Sequence, residues 1–333
     1  MTDAVEGQRA GAQANAPRPR RDRQEEPSRP RSRGRALWAA ALALFAVVAG
    51  LGPSAASGAV LAEVARQPAT GGDTRGTAQY VALGDSYASG NGSGGPVTGG
   101  TCLRNAGAYP EVWASHHPAY VLDFQACSGA SIGTVIGTQL RSLSSRTELI
   151  TVTVGGDDNG YFDSIIATCI LDGPLGLDSH CRSVIAQDEL AVNHLLGGPT
   201  GRYERLYRAI GRIEGGFAKT AVGFHPARLV VLVYPDPFRG GSKCGPWDAT
   251  TQQSLDSFAN TLDTVMRQSL AAARLSIPTS FIDVRPAFAD HGICAAVPWI
   301  SGLRYDVNGF KDSYHPNKQG QQAYARLLTQ VTG

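Results

Sequence analysis

Residues 79–90 read QYVALGDSYASG, and this stretch decides the fold. The apolar run from Gln79 to Leu83 is typical of a short buried strand, and Gly84 ends it. Similar runs occur at 120–124, 149–154, 229–234 and 281–284. Helical patterns lie between and after these runs, at 109–117, 132–143, 161–171, 181–196, 203–217, 252–275 and 319–331. Apolar strands that alternate with helices predict a three-layer α/β/α sandwich with a central parallel sheet of about five strands.

The composition is that of an ordinary globular protein. The 333 residues are 42% apolar and 17% charged, which excludes a wholly disordered chain, a collagen-like chain and a coiled coil. The formal net charge of +2 hides an asymmetry, because residues 1–36 hold nine Arg and five acidic residues. The rest of the chain holds 21 basic and 23 acidic residues. This nearly neutral part gives no electrostatic reason to expect nucleic acid as a partner.

The first 76 residues have the composition of a targeting segment and a linker. Residues 1–36 have almost no large apolar side chains, so we expect a disordered tail rich in Arg and Pro. Residues 37–57 begin with LWAAALALFAVVAGL and continue into small residues, which is the pattern of a cleaved secretory signal peptide. A membrane anchor is the alternative, although a span needs about 20 apolar residues. Residues 58–76 are then a linker, and residues 77–333 form a folded domain outside the cell.

Six cysteines lie in the part of the chain that would be exported: Cys102, Cys127, Cys169, Cys181, Cys244 and Cys294. An even number of cysteines in an exported protein argues for three disulfide bonds. Among the possible pairings we prefer the one between sequence neighbours, because it closes three surface loops. The cysteines form no CxxC pair, so we expect no zinc site and no bound metal.

A serine and a histidine lie in loops suited to nucleophilic catalysis. Ser86 follows the first strand, where a tight turn would present its hydroxyl above the sheet. The same residues also suit a turn in which Asp85 or Ser86 merely caps the next helix. Near the C-terminus, the stretch DSYHP places Asp312 three residues before His315. A histidine activates a serine by accepting its proton, and a carboxylate can hold the imidazole in the right tautomer.

Two further loops contain glycine: the first could bind an anion, and the second a phosphate or a cation. Residues 126–131, ACSGAS, follow the second strand, and the N–H group of Gly129 suits a developing oxyanion. A loop that is merely held by a disulfide bond at Cys127 is the alternative. Residues 155–160, GGDDNG, follow the ITVTV strand. This loop is too short for a phosphate-binding P-loop, and it lacks the Glu spacing of an EF-hand.

In their order along the chain, GDSYASG, ACSGAS, VTVGGDDNGYF and DSYHPNKQG resemble the four sequence blocks of the SGNH (GDSL-type) hydrolases. Within that family the chain more closely resembles the secreted lipases and esterases from Streptomyces-type bacteria, over about residues 78–330. The resemblance implies the SGNH hydrolase fold for residues 77–333 and sequential pairing of the six cysteines. It also implies a secreted serine esterase or lipase that hydrolyses lipid-type acyl esters through an acyl-enzyme and needs no cofactor. We expect a monomer that contacts small-molecule or lipid esters, with a lipid surface as a further contact.

The resemblance also assigns roles to residues by position. Ser86 becomes the nucleophile, His315 the general base and Asp312 the residue that orients His315. In some close relatives a backbone carbonyl replaces that carboxylate. The oxyanion hole then consists of the N–H groups of Ser86 and Gly129 and of the side chain at position 157.

Position 157 departs from the family pattern, because this chain has Asp157 where the family has Asn. An Asn amide donates a hydrogen bond to the oxyanion, whereas an ionised carboxylate only accepts. The loss of one oxyanion donor costs about 10²–10³ in rate. Three interpretations stay open: a protonated Asp157 that donates, a shifted loop that places Asn159 in the hole, or different chemistry. The last would be acyl transfer, cyclisation or ligand binding without turnover.

Overall fold

The computed structural model describes residues 78–218, 225–239, 245–306 and 309–333. The tail, the signal peptide or anchor, and the linker expected within residues 1–76 lie outside the described residues. Within the described ranges, no helix has both the length and the apolar character that a membrane crossing requires.

The strands of the described part agree closely with the apolar runs of the sequence. They are β1 (Ala78–Gly84), β2 (Val97–Thr98), β3 (Arg104–Asn105), β4 (Tyr120–Phe124), β5 (Thr147–Thr153), β6 (Arg228–Leu232) and β7 (Thr279–Ile282). Five of them form one sheet in the order β4-β1-β5-β6-β7, and all pairings in that sheet are parallel. Strands β2 and β3 form a separate antiparallel pair. The predicted central parallel sheet of five strands is confirmed.

Helices flank this sheet and complete a three-layer α/β/α sandwich. In the described residues they are α1 (Ser86–Ser89), α2 (Tyr109–Ser115), α3 (Ile132–Gly137), α4 (Tyr161–Asp172), α5 (Asp178–Ala191), α6 (Arg202–Phe217), α7 (Ala249–Ala273), α8 (Arg285–Phe288) and α9 (Lys318–Thr332). The helix predicted at 132–143 is shorter than expected, because it ends at Gly137 and a 3₁₀ turn follows at Gln139–Ser142. The α5 helix continues into one π-helical turn at Val192–Leu196.

The core lies on the central strands, which are apolar on both faces because helices cover both faces. Val81, Leu83, Ile150 and Val231 are fully buried. Thr151 of β5 is polar but paired, because its hydroxyl shares a hydrogen bond of 2.9 Å with the Tyr80 hydroxyl.

Two of the expected disulfide bonds are confirmed. Cys102 pairs with Cys127, and Cys169 pairs with Cys181. Cys294 is also disulfide-bonded. Its expected partner Cys244 lies outside the described residues, so the third pairing stays a prediction.

The strand order places β1 at the point where the chain changes direction across the sheet. β1 lies between β4, which follows it in sequence, and β5 on its other side. At the carboxyl ends of the two strands, Gly84 of β1 is in register with Thr153 of β5. In open parallel sheets, ligands bind at such a switch point beside the carboxyl ends of the strands. The loops that follow β1 and β5 are therefore positioned for a functional site.

Candidate active site

Two glycines allow close contacts at the carboxyl ends of β1 and β5. Gly84 has a φ of +135°, and a Cβ atom there would lie 2.1 Å from the carbonyl oxygen of Thr153. Gly155 has a φ of +134°, and a Cβ atom there would lie 1.7 Å from the hydroxyl of Tyr203. Both positions therefore require glycine, because any side chain would collide with a neighbouring group and would strain the backbone.

Asp85 and Ser86 begin the helical turn that follows β1. The Asp85 carboxylate accepts a hydrogen bond from the Tyr87 N–H at 3.0 Å, so it caps α1. Ser86 is the first residue of this helix, and it is buried. Sequence reasoning gave a capping role and a catalytic role as alternatives for this turn. The structure shows that Asp85 caps, which leaves the Ser86 hydroxyl free for another partner.

That partner is His315, 229 residues further along the chain. The distance between His315 Nε2 and Ser86 Oγ is 2.7 Å, which is hydrogen-bond distance. The structure thus brings together the serine and the histidine that the sequence motifs singled out. This pairing is the arrangement that lets an imidazole take the proton of a serine hydroxyl.

The group that orients His315 is different from the expected one. His315 Nδ1 lies 2.7 Å from the backbone carbonyl oxygen of Ser313, so the carbonyl accepts the Nδ1–H hydrogen bond. The carboxylate of Asp312, which was predicted to do this, instead accepts a hydrogen bond from the Gly92 N–H at 3.0 Å. A carbonyl two residues before the histidine reaches Nδ1 through a local turn, whereas Asp312 fixes the approach of the Gly92 loop. In this structure the group on His315 Nδ1 is thus the Ser313 carbonyl, and the orienting role expected of Asp312 stays a prediction.

A strained residue shapes the turn that carries His315. Tyr314 has a φ of +61°, which is unfavourable for a bulky side chain and needs support from its surroundings. Tyr87 gives this support, because its hydroxyl donates a hydrogen bond of 2.8 Å to the Tyr314 carbonyl. The Tyr87 ring also lies against the His315 ring, with 5.0 Å between ring centres. Tyr87, the residue after Ser86, thus fixes the loop that carries His315.

The pKa of His315 suits a general base. Burial disfavours the imidazolium and lowers the pKa of His315 to about 4, although the Ser313 carbonyl acts in the opposite direction. At neutral pH the imidazole is therefore neutral, and Nε2 is able to accept the Ser86 proton.

Two backbone N–H groups are available for an oxyanion. Among the described residues, neither Ser86 nor Gly129 uses its N–H in a hydrogen bond. The loop of Gly129 is fixed at the site, because the Cys127 N–H donates to the Gly84 carbonyl at 3.0 Å and Cys127 is bonded to Cys102. The two interpretations of this loop, an anion-binding glycine and a segment held by a disulfide bond, are therefore compatible. The disulfide bond fixes the segment, and the Gly129 N–H makes no hydrogen bond to the described residues.

The loop after β5 contains three polar side chains with different surroundings. The Asp158 carboxylate is fully buried and accepts hydrogen bonds from the Ile132 N–H at 2.8 Å and from Arg202 at 2.7 Å. The Asn159 amide donates to the Tyr161 hydroxyl, and its oxygen accepts from Arg202. Asn159 is thus held by Tyr161 and Arg202, and it does not replace the residue at position 157.

Asp157 lacks comparable partners. Its Oδ2 atom is buried and has no hydrogen bond to any described residue. Burial raises the pKa of Asp157 to about 7, and the nearby carboxylates of Asp163 and Asp158 act in the same direction. Asp157 also raises the pKa of the fully buried Asp85, after the larger effect of burial. The site therefore contains two interacting carboxyl groups beside the nucleophile.

Sequence reasoning missed Tyr234 and Arg202, and it gave an orienting backbone carbonyl only as an alternative, without identifying Ser313. The Tyr234 hydroxyl donates to Asp85 and accepts from the Gly156 N–H at 3.1 Å, so it joins the loops after β1 and β5. Tyr234 closes the apolar run LVVLVY, but nothing in that run signals where its hydroxyl lies. Arg202 begins α6 and pairs with Asp158 from 44 residues away, without any local motif. In the described ranges, no group of three or more His, Cys, Asp or Glu side chains has the arrangement of a metal site.

Comparison with known proteins gives one consistent result. Residues 82–323 match the GDSL-like Lipase/Acylhydrolase family. Lipase 1 of Streptomyces coelicolor is 34% identical over 269 residues, which cover 80% of this chain and 89% of that protein. A lipase of Streptomyces rimosus is 32% identical over 256 residues, which cover 76% of this chain and 86% of that protein.

Solved structures agree with these sequence relatives. The extracellular lipase of Streptomyces rimosus superposes with a TM-score of 0.62 at 31% identity, and the match covers 77% of this chain and all (100%) of that one. Phospholipase A1 of Streptomyces albidoflavus NA297 gives a TM-score of 0.61 at 29% identity, with 76% of this chain and 98% of that chain covered.

Proposed function

The chain belongs to the GDSL-like lipase/acylhydrolase family and is a carboxylic ester hydrolase, and from that premise we propose that it works through an acyl-enzyme on Ser86. The observation that carries this proposal is the 2.7 Å contact between Ser86 Oγ and His315 Nε2, with His315 Nδ1 on the Ser313 carbonyl. A serine, a neutral imidazole and an orienting acceptor are the parts that nucleophilic acyl transfer needs.

The reaction follows from these contacts. The Ser86 oxygen attacks the ester carbonyl carbon while His315 Nε2 takes its proton, and the carbonyl oxygen becomes an oxyanion. The N–H groups of Ser86 and Gly129 donate to that oxyanion. His315 then gives the proton to the leaving alcohol, and the acyl group stays on Ser86. Water then attacks the acyl-enzyme while His315 takes its proton. As the carboxylic acid leaves, His315 returns that proton to the Ser86 oxygen, which restores the free enzyme.

The proposed substrates are apolar acyl esters, including lipid esters. The support is a group of exposed apolar side chains on the loop that leads to His315, which we call the apolar rim: Leu303, Tyr305 and Phe310. The rings of Tyr305 and Phe310 lie 5.0 Å apart, and Tyr305 is 73% exposed. Clustered exposed apolar groups beside a site favour an apolar ligand or a lipid surface over a polar sugar. The lipase and phospholipase names of the similar proteins point the same way.

We also propose that the protein is exported and that the apolar segment within residues 37–57 is cleaved. The two described disulfide bonds support this, because such bonds persist in oxidising compartments. A similar solved protein is described as an extracellular lipase. Expression of the full chain in an exporting bacterium, followed by N-terminal sequencing of the protein in the medium, tests the proposal. An N-terminus near residue 58 would support cleavage, whereas retention in the membrane fraction with an intact N-terminus would overturn it.

Hydrolysis of p-nitrophenyl esters from acetate to palmitate tests the proposed reaction. Ser86→Ala should abolish turnover and also prevent labelling by a fluorophosphonate, which reacts with activated serines. Ser93→Ala is the matched control, because Ser93 is a buried serine of the same region whose hydroxyl has no hydrogen bond to any described residue. Full activity of Ser86→Ala, or labelling elsewhere, would contradict the acyl-enzyme on Ser86.

The substrate class has its own test. The double variant Tyr305→Ser/Phe310→Ser should lose turnover of long-chain esters while acetate turnover is kept. Val121→Ser is the matched control, because Val121 on β4 is exposed to the same 48% as Phe310 and lies near the amino end of its strand. Equal losses on acetate and palmitate would show that the rim does not select acyl chains.

A further inference from the structure

The polar atom that stands out at this site is Asp157 Oδ2. It is buried and makes no hydrogen bond to the described residues, in a structure where the neighbouring Asp158 and Asn159 are fully engaged. Buried polar groups are almost always satisfied, so an unsatisfied one beside a nucleophile needs an explanation. A group of the substrate is the natural partner for such an atom.

Hydrogen bonds decide where the charge of the two carboxyl groups lies. Asp85 accepts from the Tyr87 N–H through one oxygen and from the Tyr234 hydroxyl through the other. Tyr234 is aligned for this, because the same hydroxyl accepts the N–H of Gly156, which directly precedes Asp157. Burial and the neighbouring Asp157 raise the pKa of Asp85 as well, but Asp85 has a donor on each oxygen whereas Asp157 Oδ2 has none among the described residues. Hydrogen bonds from donors stabilise a carboxylate, so within this coupled pair we place the negative charge on Asp85 and the proton on Asp157.

The charged groups that face Asp157 favour the same distribution. From the neighbouring elements these are Asp85 after β1, Asp158 in the same loop and Asp163 on α4, and all three are acidic. The nearby cation Arg202 pairs with Asp158, and His315 is neutral above pH 4. The remaining titratable neighbours are the phenols of Tyr87 and Tyr234, whose pKa values lie above their ordinary range because of burial.

The surroundings are also apolar. A Cβ atom at Gly156 would lie 1.8 Å from the Phe162 ring, so this ring packs directly on the backbone before Asp157. The Phe162 ring in turn packs against the rings of Tyr87 and Tyr234 at 6.2 and 5.2 Å. Such an environment solvates a neutral carboxyl group better than a carboxylate.

We infer that Asp157 is a catalytic residue that acts as a neutral acid, and that its carboxyl O–H donates a hydrogen bond to the oxyanion. This inference rests on the proposed function, in which Ser86 and Gly129 supply the other donors. No proton is transferred at Asp157, because the O–H stays intact while the tetrahedral intermediate forms and collapses. The negative charge of the oxyanion opposes ionisation of Asp157. The oxyanion thus stabilises the protonated form of Asp157, and that form in turn stabilises the oxyanion.

The pH dependence of hydrolysis follows from the two groups. Activity needs neutral His315, so it falls as the pH decreases through about 4. Activity also needs protonated Asp157, so it falls as the pH increases through about 7. At pH 8 roughly a tenth of Asp157 would still carry its proton. The enzyme would thus work best in mildly acidic solution.

The test measures kcat/KM on p-nitrophenyl butyrate from pH 3 to pH 9, corrected for spontaneous hydrolysis. Asp157→Asn should lose the decrease near pH 7 and should exceed the wild type at pH 8 by about tenfold, because an amide donates at every pH. Asp163→Asn is the second variant, since it removes an exposed negative charge near Asp157 without touching the site. It should move the decrease to lower pH.

A readout other than activity completes the test. Infrared difference spectra should show a protonated carboxyl band at pH 6 in the wild type that is missing from Asp157→Asn. A flat profile up to pH 9, a decrease that persists in Asp157→Asn, or absence of the band would overturn the inference. In those cases, fluorophosphonate labelling of Ser86 together with ester turnover would leave the proposed function intact. Absence of both labelling and turnover would instead overturn the proposed function, and the donor role with it.

Discussion

Asp85 and Asp157 carry the same side chain in two loops that lie side by side, yet their surroundings differ. Asp85 follows β1, is fully buried and has a donor on each carboxylate oxygen. Asp157 follows β5, is half-buried and leaves Oδ2 without a partner among the described residues. The difference teaches that position beside the nucleophile does not define a role. The Asp85 carboxylate, with a donor on each oxygen, holds the two loops in place. Asp157, whose Oδ2 has no partner among the described residues, can contact the substrate.

The largest expected effect comes from removal of the Asp157 carboxyl group. Asp157→Ala should lower kcat by about 10²–10³, because one oxyanion donor is lost. Its thermal stability should stay close to that of the wild type, since Oδ2 has no hydrogen bond to the described residues. Steady-state kinetics at pH 5.5 and thermal unfolding provide the two measurements. A large loss of stability with unchanged kcat would reverse the comparison.

The second largest effect concerns the Asp85 carboxylate. Asp85→Asn should destabilise the fold by about 1.5–3 kcal/mol, the range for hydrogen bonds to a charged group. Denaturant unfolding measures this change in the free energy of unfolding. Asp157→Asn is the matched control, because it makes the same chemical change in the neighbouring loop and should leave stability nearly unchanged. Equal destabilisation by both substitutions would erase the distinction between the two carboxyl groups.

Tyr234→Phe should have a smaller effect that connects the two loops. It removes one donor from Asp85 and the acceptor of the Gly156 N–H, which should cost about 1–2 kcal/mol of stability. Without that donor, Asp85 competes less well for the negative charge. The pH at which activity decreases on the alkaline side should therefore move downward, and a pH profile of kcat/KM measures this shift. An unchanged profile would show that Tyr234 does not influence the pair.

The smallest expected effect is that of a third carboxylate, Asp312. Because the Ser313 carbonyl orients His315, Asp312→Asn should keep kcat within about tenfold of the wild type. Loss of a carboxylate that does orient the base lowers kcat by about 10⁴. A loss of that size, with an unchanged pH profile and unchanged stability, would restore Asp312 to the role that the motif predicts. Kinetics and thermal unfolding of the single variant decide between the two.

Much of this architecture could be predicted because the relevant signals are local. Buried strands such as β1 and β5 are continuous apolar runs, and the serine and the histidine lie in short motifs. The departure that the resemblance implies at Asp157 is likewise a local signal, since it concerns one letter in a motif. Disulfide pairing of Cys102 with Cys127 follows from the preference for sequence neighbours.

The parts that could not be predicted depend on contacts between distant segments. The hydroxyl of Tyr234 and the guanidinium of Arg202 reach the site from 149 and 44 residues away. The orienting carbonyl of Ser313 has no signature, because every residue has a carbonyl and only the turn at Tyr314 directs this one. Asp312 is the opposite case, since a residue of suitable type and spacing contacts the Gly92 N–H while the Ser313 carbonyl contacts His315.

The carbonyl that aligns His315 has a genetic consequence. No amino-acid substitution at position 313 removes the main-chain oxygen, whereas a single substitution can remove a carboxylate. Inactivation through this partner therefore requires a change that bends the loop, such as one at Tyr314 or at Tyr87, which holds it. The alignment of His315 thus depends on the conformation of the backbone. We expect random mutations to disturb it mainly at the residues that shape this loop.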